Sequence, residues 1–210
     1  DLDGLPMISL REGPLMGWSA VQKRGFDLIV SLAFVALASP LLLLVAAGVF
    51  FSSVRPIFYS QQRMGLDGKV FNMLKFRTME TGAESFSGPV WAEEKDPRRT
   101  RLGSLLRRAS LDELPQLWNV LRGDMSLVGP RPERPFFIEQ FRAEIPGYML
   151  RHKIKAGVTG WAQVHGWRGN TSIHERVEHD IHYIQNWSLA LDVRILVMTL
   201  WRGLIHRNAY

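Results

Sequence analysis

The sequence predicts an α+β protein, mostly helical, held at a membrane by one long apolar segment and carrying a small β-hairpin. Three observations support this. No charged residue occurs from Leu28 to Val54. Two strand-like runs flank the turn Gly65-Leu66-Asp67-Gly68. Most of the remainder reads as helices punctuated by Gly and Pro.

The apolar run is the strongest signal. About 27 residues at roughly 1.5 Å each make some 40 Å of helix, against a hydrocarbon core of roughly 30 Å. Ser39-Pro40 lies near its middle. Proline removes an amide donor and crowds the carbonyl four residues back, so a straight rod is not expected. The Ser39 hydroxyl can offset part of that loss by bonding a freed backbone group. Two geometries satisfy these constraints: a kinked helix that crosses the bilayer, or two half-helices that dip in and return to the same face. Lys23-Arg24 before the run and Arg55 after it place basic residues at both ends. A one-way span more often shows its positive bias on one side. The run is too long for a secretory signal, and no small-residue cleavage site follows it.

The other elements follow in order. Residues 1–20, rich in Gly and Pro without a sustained period, read as a linker. After the membrane segment, Pro56–Gln61 and Val70–Phe76 form the two arms of a hairpin. Residues 80–100 are a polar loop, and Leu102–Arg108 is a short basic amphipathic helix. Leu114–Arg122 is a further helix, with Gly123 placed to end it in the left-handed conformation. Gly129-Pro130-Arg131-Pro132 is a rigid loop, and Pro135 begins a helix to about Ala143. Glycines 157, 160, 166 and 169 break up a stretch carrying Trp161 and Trp167, and Ser172–Arg202 is helical in two pieces.

Length and composition narrow the function. The chain of 210 residues holds one domain plus its membrane segment. Its net charge of +6 suits an anionic partner such as a lipid surface, a nucleotide or nucleic acid. The absence of cysteine excludes disulfides and thiolate metal sites. There is no G-x-G-x-x-G and no Walker A loop, so a dinucleotide or P-loop site has no support. Nucleic-acid binding would draw on charge alone, with no motif, and would leave the apolar run unexplained. A non-enzymatic membrane protein that recruits a partner through its basic surface remains as the alternative to an enzyme.

Chemistry concentrates in Arg107-Arg108-Ala109-Ser110-Leu111-Asp112-Glu113-Leu114-Pro115, where two adjacent carboxylates follow paired arginines at a helix start. Ser110 with Glu113 has the spacing of a capping box. Against that, Pro115 would then fall past the first helical turn, whereas a cap at Asp112 or Glu113 keeps it inside that turn. In both cases Asp112 lies near the positive end of a helix among cations. That environment favours an ionised carboxylate able to attack phosphorus or bind a divalent cation. Arginines and lysines on constrained backbone form a second set: Lys75 and Arg77 close the hairpin, Arg131 stands between two prolines, and Arg168 stands between Trp167 and Gly169. A guanidinium fork matches the paired oxygens of a diphosphate. Beside acidic groups able to hold magnesium, the set points to a nucleotide-diphosphate site. His174, His179 and His182 with Glu175, Glu178 and Asp180 could suggest metal, but no H-E-x-x-H is present and a polar helix face accounts for them. Tryptophans 18, 161, 167, 187 and 201 suit either a lipid–water boundary or a core.

Several motifs together resemble the bacterial sugar transferases, the monotopic polyprenyl-phosphate hexose-1-phosphate (phosphoglycosyl) transferases. They are Lys23–Asp27, Ala38-Ser39-Pro40, Lys75–Met79, Ser110–Gln116, Asn119–Pro132, Gly157–Val164 and Asn208-Ala209-Tyr210. The likeness runs in order from about residue 20 to the end, and most resembles undecaprenyl-phosphate glucose phosphotransferases. It implies a linker over 1–20, a re-entrant membrane helix over 21–54 broken at Ser39-Pro40 and anchored with Lys23 and Arg24, and a catalytic domain over 55–210. That domain would lie on the cytoplasmic face of a bacterial inner membrane. The implied reaction moves a hexose-1-phosphate from a UDP-sugar to undecaprenyl phosphate with Mg2+, releasing UMP and initiating exopolysaccharide or other surface glycan synthesis. Asp112 would be the nucleophile and Glu113 its partner, both in reach of the metal. Arg107, Arg131, Lys75, Arg77, Arg168 and Asp180 match substrate- or phosphate-binding positions. The partners implied are a UDP-sugar, undecaprenyl phosphate and the membrane, with a homodimer open and no nucleic acid. Gly166-Trp167-Arg168-Gly169 most resembles members that use glucose, with galactose the main rival. The start at Asp1 fits the catalytic end of a longer protein.

Overall fold

The computed structural model describes residues 15–52, 55–82, 98–169 and 171–203. The first part of the expected linker (1–14), most of the polar loop (83–97) and the closing Asn208-Ala209-Tyr210 lie outside the described residues.

The apolar run forms helix α1, Trp18–Phe51, which starts within the stretch expected to be linker. Helical structure continues through Ser39 and Pro40 without separating into two half-helices. The physical reason is local. Pro40 deprives the Ala36 carbonyl of its partner, and Ser39 Oγ donates to that same oxygen at 2.8 Å. Only 11% of the most apolar window of α1 is buried, unlike a helix that serves as a soluble core. Its two ends are the exceptions. Lys23, Asp27 and Ser31 are buried near the start, and Val45 and Val49 near the finish, all against the rest of the molecule.

Lys23 and Arg24 do not face outward as flanking anchor residues would. Lys23 Nζ lies 3.3 Å from Asp27 Oδ1 and 2.8 Å from Asp192 Oδ2, in an almost fully buried cluster. Arg24 donates to the Val120 and Leu121 carbonyls at 2.6 and 2.8 Å, capping the end of a later helix. The sequence shows a positive flank but not the buried carboxylates and carbonyls that it answers.

Strands β1 (Phe58–Met64) and β2 (Val70–Phe76) form the expected hairpin, antiparallel, with Phe58 opposite Phe76 and Met64 opposite Val70. A 3₁₀ turn at Leu66–Gly68 joins them. Helix α2 (Arg101–Arg108) starts at Thr100, whose Oγ1 accepts from the Gly103 amide at 2.9 Å. Its Leu102 and Leu106 pack with Phe76 against Val45 and Val49 of α1. Helix α3 (Gln116–Arg122) ends at Gly123, with φ 93° as expected for its position.

One element pair has no signal in the sequence. Strand β3 (Ser126–Val128) pairs in parallel with β4 (Gly157–Thr159). Each is too short to show a period, and β3 is buried throughout. A Cβ on Gly157 would overlap the Gly129 backbone, so this pairing requires glycine. Among the described residues, helices α4 (Pro135–Glu144), α5 (Trp161–Val164), α6 (Ile173–Gln185) and α7 (Leu189–Gly203) follow, with a 3₁₀ segment at Tyr148–Lys153. The main core joins Leu117 and Val120 of α3, Leu127 and Val128 of β3, Tyr183 of α6 and Ile195 of α7. Trp161 and Trp187 pack partly against it, while Trp18 and Trp201 are 72% and 70% exposed, as boundary residues would be.

Candidate active site

Asp112 and Glu113 occupy a 3₁₀ turn, Leu111–Glu113, between α2 and α3. Of the two capping alternatives, the Ser110–Glu113 box does not form. Ser110 is left-handed (φ 55°, ψ 19°), its side chain caps nothing, and the Glu113 amide reaches only the Ser110 carbonyl at 3.3 Å. Pro115 sits at the start of α3, where its missing amide costs little. Freed from capping, the Glu113 carboxylate turns to two cations. Lys75 Nζ meets its Oε1 at 2.7 Å, as does Arg131 Nη2, while Arg131 Nη1 approaches Oε2 at 3.3 Å.

Lys75 is aimed by a side chain that mimics a strand. Asn119 of α3 accepts the Leu74 amide at 2.9 Å and donates to the Asn72 carbonyl at 2.8 Å, stitching β2 to α3. Replacing Asn119 with Ala removes both bonds and leaves the Leu74 amide and the Asn72 carbonyl without this partner. The expected cost is about 1–3 kcal/mol in thermal unfolding, with a weaker hold of Lys75 on Glu113.

The two carboxyls have been driven apart. Burial opposes ionisation of Glu113, but Arg131 and Lys75 outweigh it and hold the group well below the usual carboxylate range. Asp112 is 6% exposed and forms no hydrogen bond or ion pair with any described residue. Burial pushes its carboxyl up; Lys75 opposes this and the Glu113 charge adds to it. The expectation that its surroundings simply favour the ionised form is therefore corrected: desolvation outweighs the nearby cations. Divergent neighbours of this kind mark a division of chemical roles. Burial also lowers Lys75, while the Glu113 charge raises Arg131.

The other expected residues divide between near and far. Arg107 lies close enough to act on Asp112 electrostatically, and its Nε donates to Thr78 Oγ1 at 2.9 Å. Arg77 instead donates to the Pro56 carbonyl at 2.9 Å and stacks over Tyr59, holding the base of the hairpin. Arg168 lies in the Gly166–Gly169 turn. Asp180 is 2% exposed and bonded to Arg151 at 2.6 Å, so it is not placed as a substrate ligand. Arg63, Glu133, Arg151 and Arg176, which no sequence motif singles out, surround the Arg131 loop. Nothing in their local patterns separates them from surface charge.

No set of three or more His, Asp or Glu able to hold a metal occurs among the described residues. His179 Nδ1 instead bonds the Glu175 carbonyl at 2.8 Å, and His182 stacks on Trp161. Asp112 offers one uncommitted carboxylate, whereas the Glu113 oxygens are taken by Lys75 and Arg131. That donor set fits magnesium only in its common mode of one carboxylate with substrate phosphates and water.

The family model described as bacterial sugar transferase matches residues 18–206. A UDP-glucose:undecaprenyl-phosphate glucose-1-phosphate transferase of Escherichia coli is 44% identical, across 100% of this chain and 46% of its own length. A UDP-N-acetylgalactosamine-undecaprenyl-phosphate N-acetylgalactosaminephosphotransferase of Aeromonas hydrophila is 43% identical, across 85% of this chain and 42% of its own. The exopolysaccharide production protein ExoY of Sinorhizobium fredii is 40% identical, across 94% of this chain and 92% of its own. The chain spans about half the length of the first two of these relatives.

Proposed function

The chain belongs to the bacterial sugar transferase family, and from that premise we propose that it transfers hexose-1-phosphate from a UDP-sugar, with UDP-glucose favoured, to undecaprenyl phosphate. The observation that carries the reading is the pair at 112–113: one buried carboxylate with no described partner, beside a second locked between Lys75 and Arg131.

An Asp112 oxygen attacks the sugar-bearing phosphorus of the donor. The bond from that phosphorus to the bridging oxygen breaks, and UMP leaves with the electron pair. A phosphate oxygen of undecaprenyl phosphate then attacks the same phosphorus, breaks its bond to Asp112 and restores the carboxylate. Two displacements let one site serve a soluble donor and a lipid acceptor in turn. Arg131 and Lys75, already oriented by Glu113, present donors to the diphosphate and offset the charge that would repel Asp112. Arg107 supplies a further positive charge from α2. Magnesium bound through Asp112 and the diphosphate oxygens would neutralise charge developing on the leaving group.

The membrane arrangement belongs to the same proposal. Helix α1 is long enough to span, yet Arg24 docks on α3 and Val45 and Val49 dock on α2, both parts of one polar body. If α1 crossed the bilayer, that body would be drawn into hydrocarbon along with it. A helix that dips and bends about Ser39-Pro40 keeps the body at one face, where a cytoplasmic UDP-sugar and an embedded acceptor can both reach Asp112. The chain reconstituted in vesicles with undecaprenyl phosphate should release UMP from UDP-glucose faster than from UDP-galactose or UDP-N-acetylhexosamines. Release from none of them would remove the reading.

A further inference from the structure

Two buried ion pairs stand behind the site, and both begin on one face of α6. Arg176 and Asp180 are each 2% exposed and lie one turn apart. Arg176 Nη1 meets Glu133 Oε1 at 2.6 Å, and its Nη2 donates to the Gly169 carbonyl at 2.9 Å. Asp180 Oδ2 receives Arg151 Nη2 at 2.6 Å, and that same nitrogen donates to the backbone carbonyl of Arg131 at 3.0 Å. Arg151 Nη1 is occupied by the Tyr148 hydroxyl at 3.1 Å. From the hairpin side, Arg63 donates to the Pro132 carbonyl at 3.0 Å and the Met64 amide to the Glu133 carbonyl at 3.0 Å. Arg131 therefore rides on a loop gripped at each of its successive carbonyls.

We infer that Asp180 and Arg151 are positioning residues for Arg131, and that Arg176 with Glu133 holds the turn carrying Arg168 at a fixed distance from it. A fully buried ion pair is a poor source of stability, and apolar residues of like volume commonly do as well or better. This one does something an apolar pair cannot do. The two hydrogens of Arg151 Nη2 are shared between a carboxylate that fixes the guanidinium and a carbonyl belonging to a substrate-facing residue. A misplacement of about 1 Å at such a residue can cost roughly 100-fold in rate. The inference rests on the proposed function, in which Arg131 receives the donor's diphosphate.

A double-mutant cycle tests it in the full chain, reconstituted in lipid. Asp180→Asn keeps the shape and one acceptor but removes the charge that orients Arg151. It is expected to lower kcat/KM for UDP-glucose by about ten-fold or more, while in an Arg131→Ala background it adds less than about two-fold. Arg151→Lys, which cannot serve both acceptors, should give the same pattern and replaces Asp180→Asn if that variant does not fold. Equal losses in both backgrounds, or a loss that only tracks the folded fraction, would overturn the inference. Full donor turnover in Arg131→Ala alone overturns the function assigned to that arginine, so the two failures are distinguishable.

Discussion

Asp112→Asn is expected to abolish UMP release from UDP-glucose, a loss on the order of 10⁴-fold or more, with folding and membrane attachment intact. Removing a nucleophile typically costs that much, because what remains is binding and electrostatic stabilisation alone. Folding should survive because Asp112 has no described hydrogen bond or ion pair to lose, and asparagine has nearly its volume. Because burial raises its carboxyl, ionising Asp112 costs the folded state. An acid that binds its proton more tightly when folded gains stability as pH falls through its folded value, and activity moves the other way. The donor half-reaction should therefore weaken on acidification from a pH above about 3.9, the ordinary aspartate value. The check is a pH profile of UMP release, with intact-mass analysis for a phosphosugar adduct that Asp112→Asn lacks. Turnover near that of the unmodified chain in this variant would leave the proposed mechanism without a nucleophile.

Glu113→Gln should behave differently. Glu113 is the group that Lys75 and Arg131 both grip, so its loss leaves two half-buried cations facing each other without their shared anion. Stability and turnover should fall together, by contrast with Asp112. A membrane protein that merely recruited a partner through its basic surface would share the difference in stability but would release no UMP for either substitution to abolish.

How much of this was legible in the sequence depends on the range of the interaction. Local features came through: the hairpin with its Gly-rich turn, Gly123 as a helix terminator, and Pro135 at the head of α4. The nearest-neighbour chemistry of Ser39 on the carbonyl freed by Pro40 was also foreseeable. Partnerships between distant residues were not. Nothing near Lys23 announces Asp192, and nothing near Arg151 announces Asp180, since each pair is made only when α7 or α6 packs down. The capping box failed for the same reason. Ser110 and Glu113 have the right spacing, but two cations from β2 and the Arg131 loop compete for the Glu113 carboxylate and win. Family likeness matches Asp180 to a binding position, but not to its place in the fold, buried behind the loop and paired with Arg151.

The largest stability effect should come from Lys23→Met. Lys23 sits between Asp27 and Asp192, which are 2% and 0% exposed, and its removal leaves two buried carboxylates without the cation between them. Breaking a buried ion pair by deleting one partner costs about 3–5 kcal/mol, because the remaining charge is stranded rather than because a favourable contact is lost. For a domain of this size that is a fall of about 10 °C in Tm, measured on the detergent-solubilised chain. The damage should spread along defined bonds. Asp27 Oδ1 accepts the Leu127 amide of β3 at 3.1 Å, and Asp192 accepts the Tyr183 hydroxyl at 2.6 Å, so the cluster ties α1 to β3, α6 and α7. Adding Asp192→Asn to Lys23→Met removes one stranded charge and should recover part of the loss. A change within about 0.5 kcal/mol, as for an exposed lysine, would place Lys23 among lipid headgroups instead. Membrane attachment should persist in either variant, since the apolar length of α1 is untouched. What should weaken is the docking of the catalytic body on its own anchor, read as lost turnover in vesicles that still retain the protein.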